Sequence, residues 1–599
     1  MPLFCRAKCR HVNALYLVDK QLQSAIIGRM YIAAVPNRTS KPAILLRESY
    51  REGGKVKTRT IANLSKLPGA AVEALRRTLA GEKLVTVDEI FQIVASRHHG
   101  HVAAVLSAMK QLDFADLLGS RRSRQRDLVV GMVAAKLLQQ KSSKLSTTSW
   151  WKTTTLAETL GVEDANEDDL YAAMDWLLER QERIEKKLAA RHLQQDGLVL
   201  YDLSSSYFEG ASCPLAARGY SRDKKKGKLQ VNYGLMSDPR GCPVAISVFE
   251  GNTSDPKTLL PQVAKARDSF GLERLVLVGD RGMITQKQVD ALKDIEGLEW
   301  ITALKTGSIR KLVESGNVQL DLFDERNLFE LEHPDFPGER LVACRNPALA
   351  KLRKEKRLEL LAATARELEK VRGMAGSGKL KGQDAIGVRV GRVVNQYKMA
   401  KHFLLDIRDE RFDFQVDEAK VASEAALDGL YVVRTSLPAE RLDMADTVRS
   451  YKSLALVERA FRSLKTMDLH VRPIHHHLEK RVRAHIFLCM LAYYVQWHMQ
   501  EALRPLTFAD EEVIEDRKTR DPVAPAERSA SAKRKASTKR LEDGTPVQSY
   551  RGILENLATI VRNTNRRPGA NDDEAPVFLD TAPSPIQQRA LDLIAEISP

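Results

Sequence analysis

The segment LERLVLVGDRGM, residues 272–283, decides the fold because it places an acid directly after a buried strand. The aliphatic run at 275–278 predicts a strand covered on both faces, as in the centre of a parallel or mixed sheet. Asp280 follows after one glycine, although aspartate is depleted in strands. Carboxylates at this end of a strand often face a ligand crevice. The alternative role for Asp280 is a helix cap or a turn.

The surrounding text predicts further strands of the same sheet. GLVLYDLSSSYFEG (197–210), LQVNYGLMSD (229–238) and CPVAISVFEG (242–251) precede the segment, and LEWITAL (298–304) follows it. Helical patterns before and after the segment give the order three strands, helix, strand, helix, strand. We therefore expect an α/β fold with a mixed sheet.

Two carboxylates are predicted to meet at that sheet. Asp202 is expected to end the first strand, and Asp280 the fourth. If these strands are neighbours, the two like charges lie side by side, which is unfavourable unless a cation is bound. Hard divalent cations such as Mg²⁺ accept carboxylate oxygens and keep waters for substrate phosphates.

A third acid lies in YKSLALVERAFRSLK, residues 451–465. Apolar residues recur there at spacings of three and four, which predicts one amphipathic helix. Seven residues advance a helix by almost two turns, so Tyr451, Glu458 and Lys465 are expected on one stripe, with Arg462 one turn beyond Glu458. Such a stripe suits a metal site that also holds phosphate. The alternative is an exposed face with a Glu458–Arg462 pair.

These blocks together resemble bacterial insertion-sequence transposases that carry an Asp-Asp-Glu site. The resemblance is to the group with the signature Y-x2-R-x3-E-x6-K, which Tyr451, Glu458 and Lys465 match and in which Leu454 replaces the arginine. YDLSSSYFEG, GYSRDKKKGKLQVNYGL, EGNTSD, GDRGM and RPIHHHLEKRVRAHIFLCMLAYY are similar to the catalytic-core text of that group. The resemblance covers roughly residues 30–500, and the order of the blocks is specific.

The resemblance implies a fold, an activity and partners. It implies a ribonuclease-H-like mixed sheet with flanking helices, interrupted by an α+β insertion and preceded by a helical N-terminal region. Asp202, Asp280 and Glu458 would be catalytic and would bind two Mg²⁺ ions, with Mn²⁺ as a substitute. The enzyme would cut and join double-stranded DNA at element ends and target, as a homodimer in the bacterial cytoplasm and nucleoid. A metal-dependent nuclease of the same fold and an inactive DNA-binding protein are the alternatives.

The charge of the chain favours a polyanionic partner. The net charge is +16, and nucleic acid is the commonest partner of such proteins. Candidate DNA contacts are Tyr451, Arg462 and Lys465 and the run Arg222, Lys224, Lys225, Lys226 and Lys228. The run has a solvated loop as its alternative role. The triplet at 475–477 is expected on a helix without a metal, and the Trp150–Trp151 pair is expected in the core.

The cysteines argue against a disulfide-rich protein, and the apolar runs argue against a membrane-spanning one. None of the six cysteines forms a CxxC pair, so no disulfide framework is indicated and a reduced, cytoplasmic setting fits. The longest apolar run, IFLCMLAYYV at 486–495, is too short to span a membrane and predicts a buried helix.

Composition and pattern divide the chain into eight segments. They are an extension that adds nothing to the fold (1–29), a small basic β-hairpin module (30–66), a helical region that is a candidate for DNA binding (67–192), the first part of the catalytic core (193–305), an α+β insertion (306–447), the second part of the core with the glutamate helix (448–505), a basic disordered linker (506–549), and a C-terminal helix with an ill-ordered tail (550–599).

Overall fold

The computed structural model describes residues 30–38, 41–83, 91–139, 143–210, 212–319, 323–570 and 574–599. The predicted extension over 1–29 lies outside these residues. The chain forms two compact units. One comprises the described residues up to Ser96 together with Asn563–Leu579, and the other comprises Arg97–Arg562 with Asp580–Pro599.

The first unit is rich in strands. An antiparallel sheet contains β1 (Met30–Val35), β2 (Ala43–Glu52) and β3 (Lys55–Asn63), and α1 (Gly69–Leu79) packs against β1. A second sheet has the order β16-β15-β4, with β4 at Gln92–His98, β15 at Val561–Arg566 and β16 at Val577–Asp580. The predicted single hairpin at 30–66 is thus a sheet of three strands, because β2 pairs antiparallel with both β1 and β3, with the second reversal at the Gly53–Gly54 turn.

The second unit begins with helices, as the apolar spacing predicted, but the region 67–192 is not all helical, because it also contains strand β4. They are α2 (Gly100–Gln111), α3 (Phe114–Leu118), α4 (Arg124–Leu138), α5 (Lys144–Trp151), α6 (Leu156–Leu160), α7 (Glu167–Leu178) and α8 (Gln181–His192). Their apolar faces belong to the main hydrophobic core. Trp151 is buried and Trp150 packs against the same core, so the prediction that this pair lies in the core is confirmed.

A mixed sheet of eight strands in the described chain forms the centre of the second unit. Its order is β10-β11-β14-β9-β8-β5-β6-β7. The predicted core strands are β5 (Leu198–Tyr207), β6 (Gln230–Ser237), β7 (Pro243–Glu250), β8 (Leu275–Val278) and β9 (Leu298–Ala303). β5, β8 and β9 are parallel, while β6 runs antiparallel to both β5 and β7. This arrangement is the expected ribonuclease-H-like sheet.

The register of β5 against β8 places the two predicted aspartates next to each other. The strands pair in parallel with Leu200 opposite Val278, so the next residues of the same orientation are Asp202 and Asp280. The prediction that Asp202 ends its strand was wrong. Asp202 lies inside β5. The reason is that β5 continues along β6 as far as Tyr207, beyond the point at which β8 has ended.

Helices cover the sheet and connect its strands. α9 (Asp255–Ala264) and α10 (Gln286–Lys293) connect β7 to β8 and β8 to β9. α17 (Glu479–Ala502) packs against β7 and against the helices α4 and α7. Its residues 486–495 are all buried, which confirms the predicted buried helix.

The insertion is α+β, as predicted, but it is not separate from the core sheet. Its elements are α11 (Thr306–Glu314), β10 (Leu328–Leu331), β11 (Arg340–Arg345), α12 (Pro347–Gly376), α13 (Gln383–Tyr397), β12 (Phe403–Ile407), β13 (Phe412–Val416), α14 (Glu418–Ala425) and β14 (Leu430–Thr435). β14 pairs with β9, so three inserted strands extend the central sheet. The segment from α12 to β13 has a small core of its own.

The glutamate segment is not the one continuous helix that was predicted. α15 (Met444–Lys452) ends and α16 (Leu454–Arg462) begins at Ser453, whose hydroxyl donates to the carbonyl oxygen of Ser450. A short π-helical turn at Ser463–Met467 follows. Serine competes with helical hydrogen bonding through its own side chain, which is the local reason for the break.

The structure contradicts the predicted disordered linker and tail. Residues 506–549 contain α18 (Val513–Thr519) and α19 (Ala530–Thr538), and α20 (Tyr550–Leu557), β15, β16 and α21 (Pro585–Ala595) follow. Although this segment has few large apolar residues, Val523 and Ala532 are buried. Asp510 also accepts hydrogen bonds from the backbone and the hydroxyl of Ser529, at 2.8 Å each. These contacts hold a segment whose composition alone indicated disorder.

Candidate active site

The three predicted acids line one groove of the second unit. This groove, called the triad groove here, has a volume of about 490 Å³ and contains Asp202, Asp280 and Glu458. Its remaining lining residues are Leu203, Ser204, Tyr220, Arg222, Asp223, Asp255, Phe461, Arg462, Lys465 and Arg472. Strand β5, the end of β8 and helix α16 supply the three acids.

Asp202 is the most enclosed of the three. One of its oxygens accepts a hydrogen bond from the backbone N–H of Leu203 at 2.8 Å. Burial raises the pKa of Asp202 to about 7, and the negative charges of Asp280 and Glu458 act in the same direction. Such a site favours either a proton or a bound cation on this carboxyl group.

Asp280 is held by its own loop and by Tyr451. The backbone N–H of Gly282 donates to one carboxylate oxygen at 3.3 Å, and the Tyr451 hydroxyl donates to the other at 3.4 Å. Burial and the adjacent Asp280 raise the pKa of Tyr451, so the phenol keeps its proton and remains a donor. Tyr451 therefore contacts one of the three acids.

Glu458 reaches the groove because the opposite face of α16 is anchored in the core. Leu454, Val457 and Phe461 are buried, and the Phe461 ring lies 5.8 Å from the Tyr233 ring of β6. Helix α16 also packs against β5. Leu454, at the signature arginine position, belongs to this apolar face as predicted.

Ion pairing divides the five acids of the groove into two sets. Asp255 pairs with Arg222, and Asp223 pairs with Lys465 and Arg472. Within the part of the chain that the structure describes, Asp202, Asp280 and Glu458 form no ion pair with a lysine or an arginine. Among the described residues of the groove, these three carboxylates are therefore the acids that form no ion pair with a lysine or an arginine, and hard oxygen donors of this kind suit a divalent metal ion.

The three ligand groups are spread rather than compact. Among the described residues, the set of three potential ligand atoms that lie within 4.8 Å of one another is His192, Cys242 and His498, not the acid triad. The ligand atoms of the three acids therefore do not meet as tightly as those of His192, Cys242 and His498.

The His192 cluster is satisfied by the protein itself. Arg240 donates to one ring nitrogen of His192 at 3.3 Å, and the Tyr494 hydroxyl lies 3.2 Å from the other. The positive charge of the Arg240 guanidinium group also opposes the binding of a metal ion at this cluster.

The histidine triplet at 475–477 precedes α17, which begins at Glu479, so the helix predicted for it was wrong. Burial lowers the pKa of His476 to about 3.

The predicted DNA contacts fall into three groups, one of which is Tyr451 alone, whose hydroxyl contacts Asp280 and which is not among the groove-lining residues. Arg222, Arg462 and Lys465 line the triad groove. Lys224, Lys225, Lys226 and Lys228 lie in an exposed loop outside its lining. In that loop Lys228 pairs with Glu209 at 3.0 Å, and Lys225 lies 5.9 Å from the centre of the Tyr207 ring.

Asp223, Asp255, Arg472 and Tyr220 are among the groove residues that sequence reasoning missed. Asp223 lies inside the basic run, and Asp255 begins the helix α9. Arg472 and Tyr220 were not singled out, although both lie in blocks that carried the resemblance. An acid within a run of cations was the one available signal, because it predicts a specific ion pair.

The comparisons with known proteins identify the family of the chain. Residues 195–495, just over half of the chain, match the family model for the transposase DDE domain. The chain therefore belongs to the DDE transposase family, whose members cut and transfer DNA strands and use divalent metal ions. Residues 33–87 match the N-terminal domain of IS1634 family transposases, which identifies an insertion-sequence transposase.

Comparison with curated proteins gave no match. Among solved structures, the chain is similar to the piggyBac transposase synaptic complex with hairpin DNA, determined by cryo-EM. The sequence identity is 8%, each chain is covered over 76%, and the TM-score is 0.36. A score this low supports no inference about the present chain. None of the described helices is both long and apolar enough to cross a membrane.

Proposed function

We propose that Asp202, Asp280 and Glu458 are the catalytic acids of this transposase and hold two Mg²⁺ ions, with Mn²⁺ as a substitute. The observation that supports this most is the division of the groove acids, in which these three form no ion pair with a lysine or an arginine of the described chain. Two such ions, when bound, activate the attacking oxygen and stabilise the leaving oxygen of a phosphoryl transfer.

The residues around the acids have separate tasks in this proposal. Tyr451 orients the Asp280 carboxylate through its hydrogen bond. Arg222, Arg462 and Lys465 contact the phosphates that flank the scissile bond, because cations supply most of the affinity of proteins for DNA. The exposed lysines at 224–226 and Lys228 contact the backbone further along the duplex.

The DNA substrates are the ends of the element and a target duplex. An element has two ends, and each chain offers one triad groove among its described residues. We propose that a homodimer on DNA places one groove at each end. The molar mass of the protein, measured by light scattering with and without a duplex that carries an element end, tests this proposal. A complex that stays at one protein chain per duplex would contradict it.

The test of the acids is Asp280→Asn, with Asp294→Asn as its matched control. Asp280→Asn keeps the shape of the side chain and removes the charge that holds a metal. We expect it to abolish Mg²⁺-dependent cleavage of an element-end duplex and to leave DNA binding in EDTA unchanged. Asp294 is exposed and does not line the triad groove, so Asp294→Asn should cut like the wild type. Cleavage by Asp280→Asn at the wild-type rate would refute the assignment.

A further inference from the structure

A cavity of about 700 Å³ in the second unit has no role in the function described so far. Arg240, Arg459, Arg504 and Arg517 line this cavity together with apolar side chains, and it is called the arginine cavity here. The described residues that line it are all different from those of the triad groove. Arg459 belongs to α16, so the helix that brings Glu458 to the triad groove also forms part of the arginine cavity.

Two of the four arginines are fixed by acids beside them. Arg240 donates to Asp238 at 2.8 Å, and its guanidinium carbon lies 5.2 Å from the centre of the Trp497 ring. Arg504 donates to Glu501, also at 2.8 Å. These two guanidinium groups are therefore held in place and already have a counter-charge.

The other two arginines have no such acid. Within the part of the chain that the structure describes, Arg459 and Arg517 form no ion pair. Arg517 donates instead to the carbonyl oxygen of Arg449 at 2.7 Å. Burial lowers the pKa of Arg517, and the positive charges of Arg520 and Arg449 act in the same direction. Glu596 also lines the cavity but pairs with neither arginine. Guanidinium groups in these surroundings favour a bound anion.

The rest of the lining suits the apolar part of a ligand. Leu456, Val513 and Leu593 line the cavity, and so do the aromatic residues Tyr493 and Trp497. Binding sites for small molecules commonly have a volume of about 300–1,000 Å³ and combine apolar walls with a few polar or charged groups. The arginine cavity has both features, so it fits a ligand with an anionic end and an apolar or aromatic body.

A phosphate group is the anion that fits two separate guanidinium groups best. A carboxylate has two oxygens, and one guanidinium group occupies both of them in a bidentate pair. A phosphate ester presents three strong acceptor oxygens, so it can accept from two arginines at once. The planar fork of arginine also matches the geometry of phosphate.

We propose that the arginine cavity binds a small phosphate ester of nucleotide size, with its phosphate groups on Arg459 and Arg517 and its ring beside Trp497. The proposal goes beyond the function of the triad groove and does not rest on it. A ligand in this position contacts α16 and therefore influences the placement of Glu458. The backbone of DNA offers the same phosphate chemistry, and the experiment distinguishes the two sources.

The experiment measures the binding of ATP to the full chain by isothermal titration calorimetry in EDTA. EDTA removes divalent ions, so the phosphates cannot attach through a metal ion at the three acids. We expect ATP to bind, pyrophosphate to bind more weakly and adenosine not to bind, because the phosphates supply the charge and the ring adds contact area. The absence of binding by both ATP and pyrophosphate would overturn the proposal, and so would adenosine that binds as tightly as ATP.

Arg459→Gln tests the guanidinium group on α16. We expect it to weaken ATP binding by about 10- to 100-fold, the scale of a charge-assisted hydrogen bond. Arg459 is exposed, so the melting temperature without ligand should not change. Arg459→Lys keeps the charge but loses the fork, and its affinity should fall between the two.

Arg353→Gln is the matched control for the loss of a charge. Arg353 is exposed on α12 and does not line the arginine cavity, so this variant should bind ATP like the wild type. An unchanged affinity in Arg459→Gln would contradict the proposal.

A duplex that carries an element end identifies the source of the phosphate. If the cavity takes a small ester, the duplex leaves ATP bound, and Arg459→Gln binds the duplex like the wild type. If the duplex displaces ATP, or if Arg459→Gln binds the duplex more weakly, the site belongs to the DNA backbone and the proposal is wrong. Asp280→Asn should bind ATP like the wild type, so the catalytic assignment and this inference fail independently.

Discussion

Asp223→Asn provides a sharp test of how the cations of the triad groove are held. The Asp223 side chain is 2% exposed and pairs with Lys465 at 3.2 Å and with Arg472. Its other oxygen accepts from the backbone N–H of Tyr207 at 3.1 Å. Asparagine can keep the bond to Tyr207 but cannot balance the two cations. The substitution therefore isolates the charge.

The structure sets the size of the expected effect. Removing one partner of a buried ion pair costs about 3–5 kcal/mol. The Lys465 side chain is 11% exposed and that of Arg472 is 23% exposed, so water relieves part of the loss at Arg472. We expect the free energy of unfolding to fall by about 3 kcal/mol, the lower end of that range. Urea denaturation measures it.

The pH dependence of cleavage distinguishes positioning from stability. Burial lowers the pKa of Lys465, and Asp223 opposes that shift. Without the carboxylate the pKa of Lys465 falls further, so the ammonium group is lost at a lower pH. The alkaline limb of the rate profile should move to lower pH in Asp223→Asn. Asp255→Asn is the matched control, because its partner Arg222 stays charged at all of these pH values. A loss of stability below 0.5 kcal/mol, together with an unmoved alkaline limb, would refute the reasoning.

Three further predictions follow from other contacts. Leu454→Ala should lower the free energy of unfolding by about 2–5 kcal/mol, because Leu454 is only 9% exposed and lies in the core. The cleavage rate of the folded protein should not change. Poor cleavage at unchanged stability would place Leu454 in the groove instead. Burial lowers the pKa of Lys144 to about 7, with the nearby Lys136 as a second cause. Between pH 7 and about 10.5 the unfolded chain therefore binds the extra proton, and stability rises with pH. Lys144→Met should flatten that rise in thermal melts, and the exposed Lys152→Met should not. Asp202→Asn should remove the increase in melting temperature that Mg²⁺ gives the wild type, and an undiminished increase would count against metal binding there.

The strands and most helices were predictable because local patterns determine them. A run such as 275–278 is apolar on both faces and has one interpretation in a mixed sheet. The contacts that the sequence did not reveal are long-range ones. β14 pairs with β9, although the whole insertion separates them in the sequence. No local pattern in either strand predicts which strand it pairs with. The ordered segment at 506–549 is similar, because Asp510 and Ser529 stabilise it only once they meet.

The acids and the cations of the groove differ in how far sequence could locate them, and the reason is physical. Asp202 and Asp280 become neighbours through a parallel register of two strands. The strand patterns located both acids, whereas the pairing of the strands was a condition that only the structure could test. Glu458 faces the groove because the opposite face of its helix is apolar, which is again a local pattern. The cations have no such anchor: Leu454 leaves the signature arginine position apolar, and Arg222 and Arg472 enter the groove from loops. Each is positioned by an acid, Asp255 or Asp223, and an ion pair between distant loop residues leaves no periodic trace in a sequence. In a site of this kind the acids can therefore be located from the sequence, whereas the cations cannot. Asp223→Asn tests the ion pairs of the cations, which only the structure reveals.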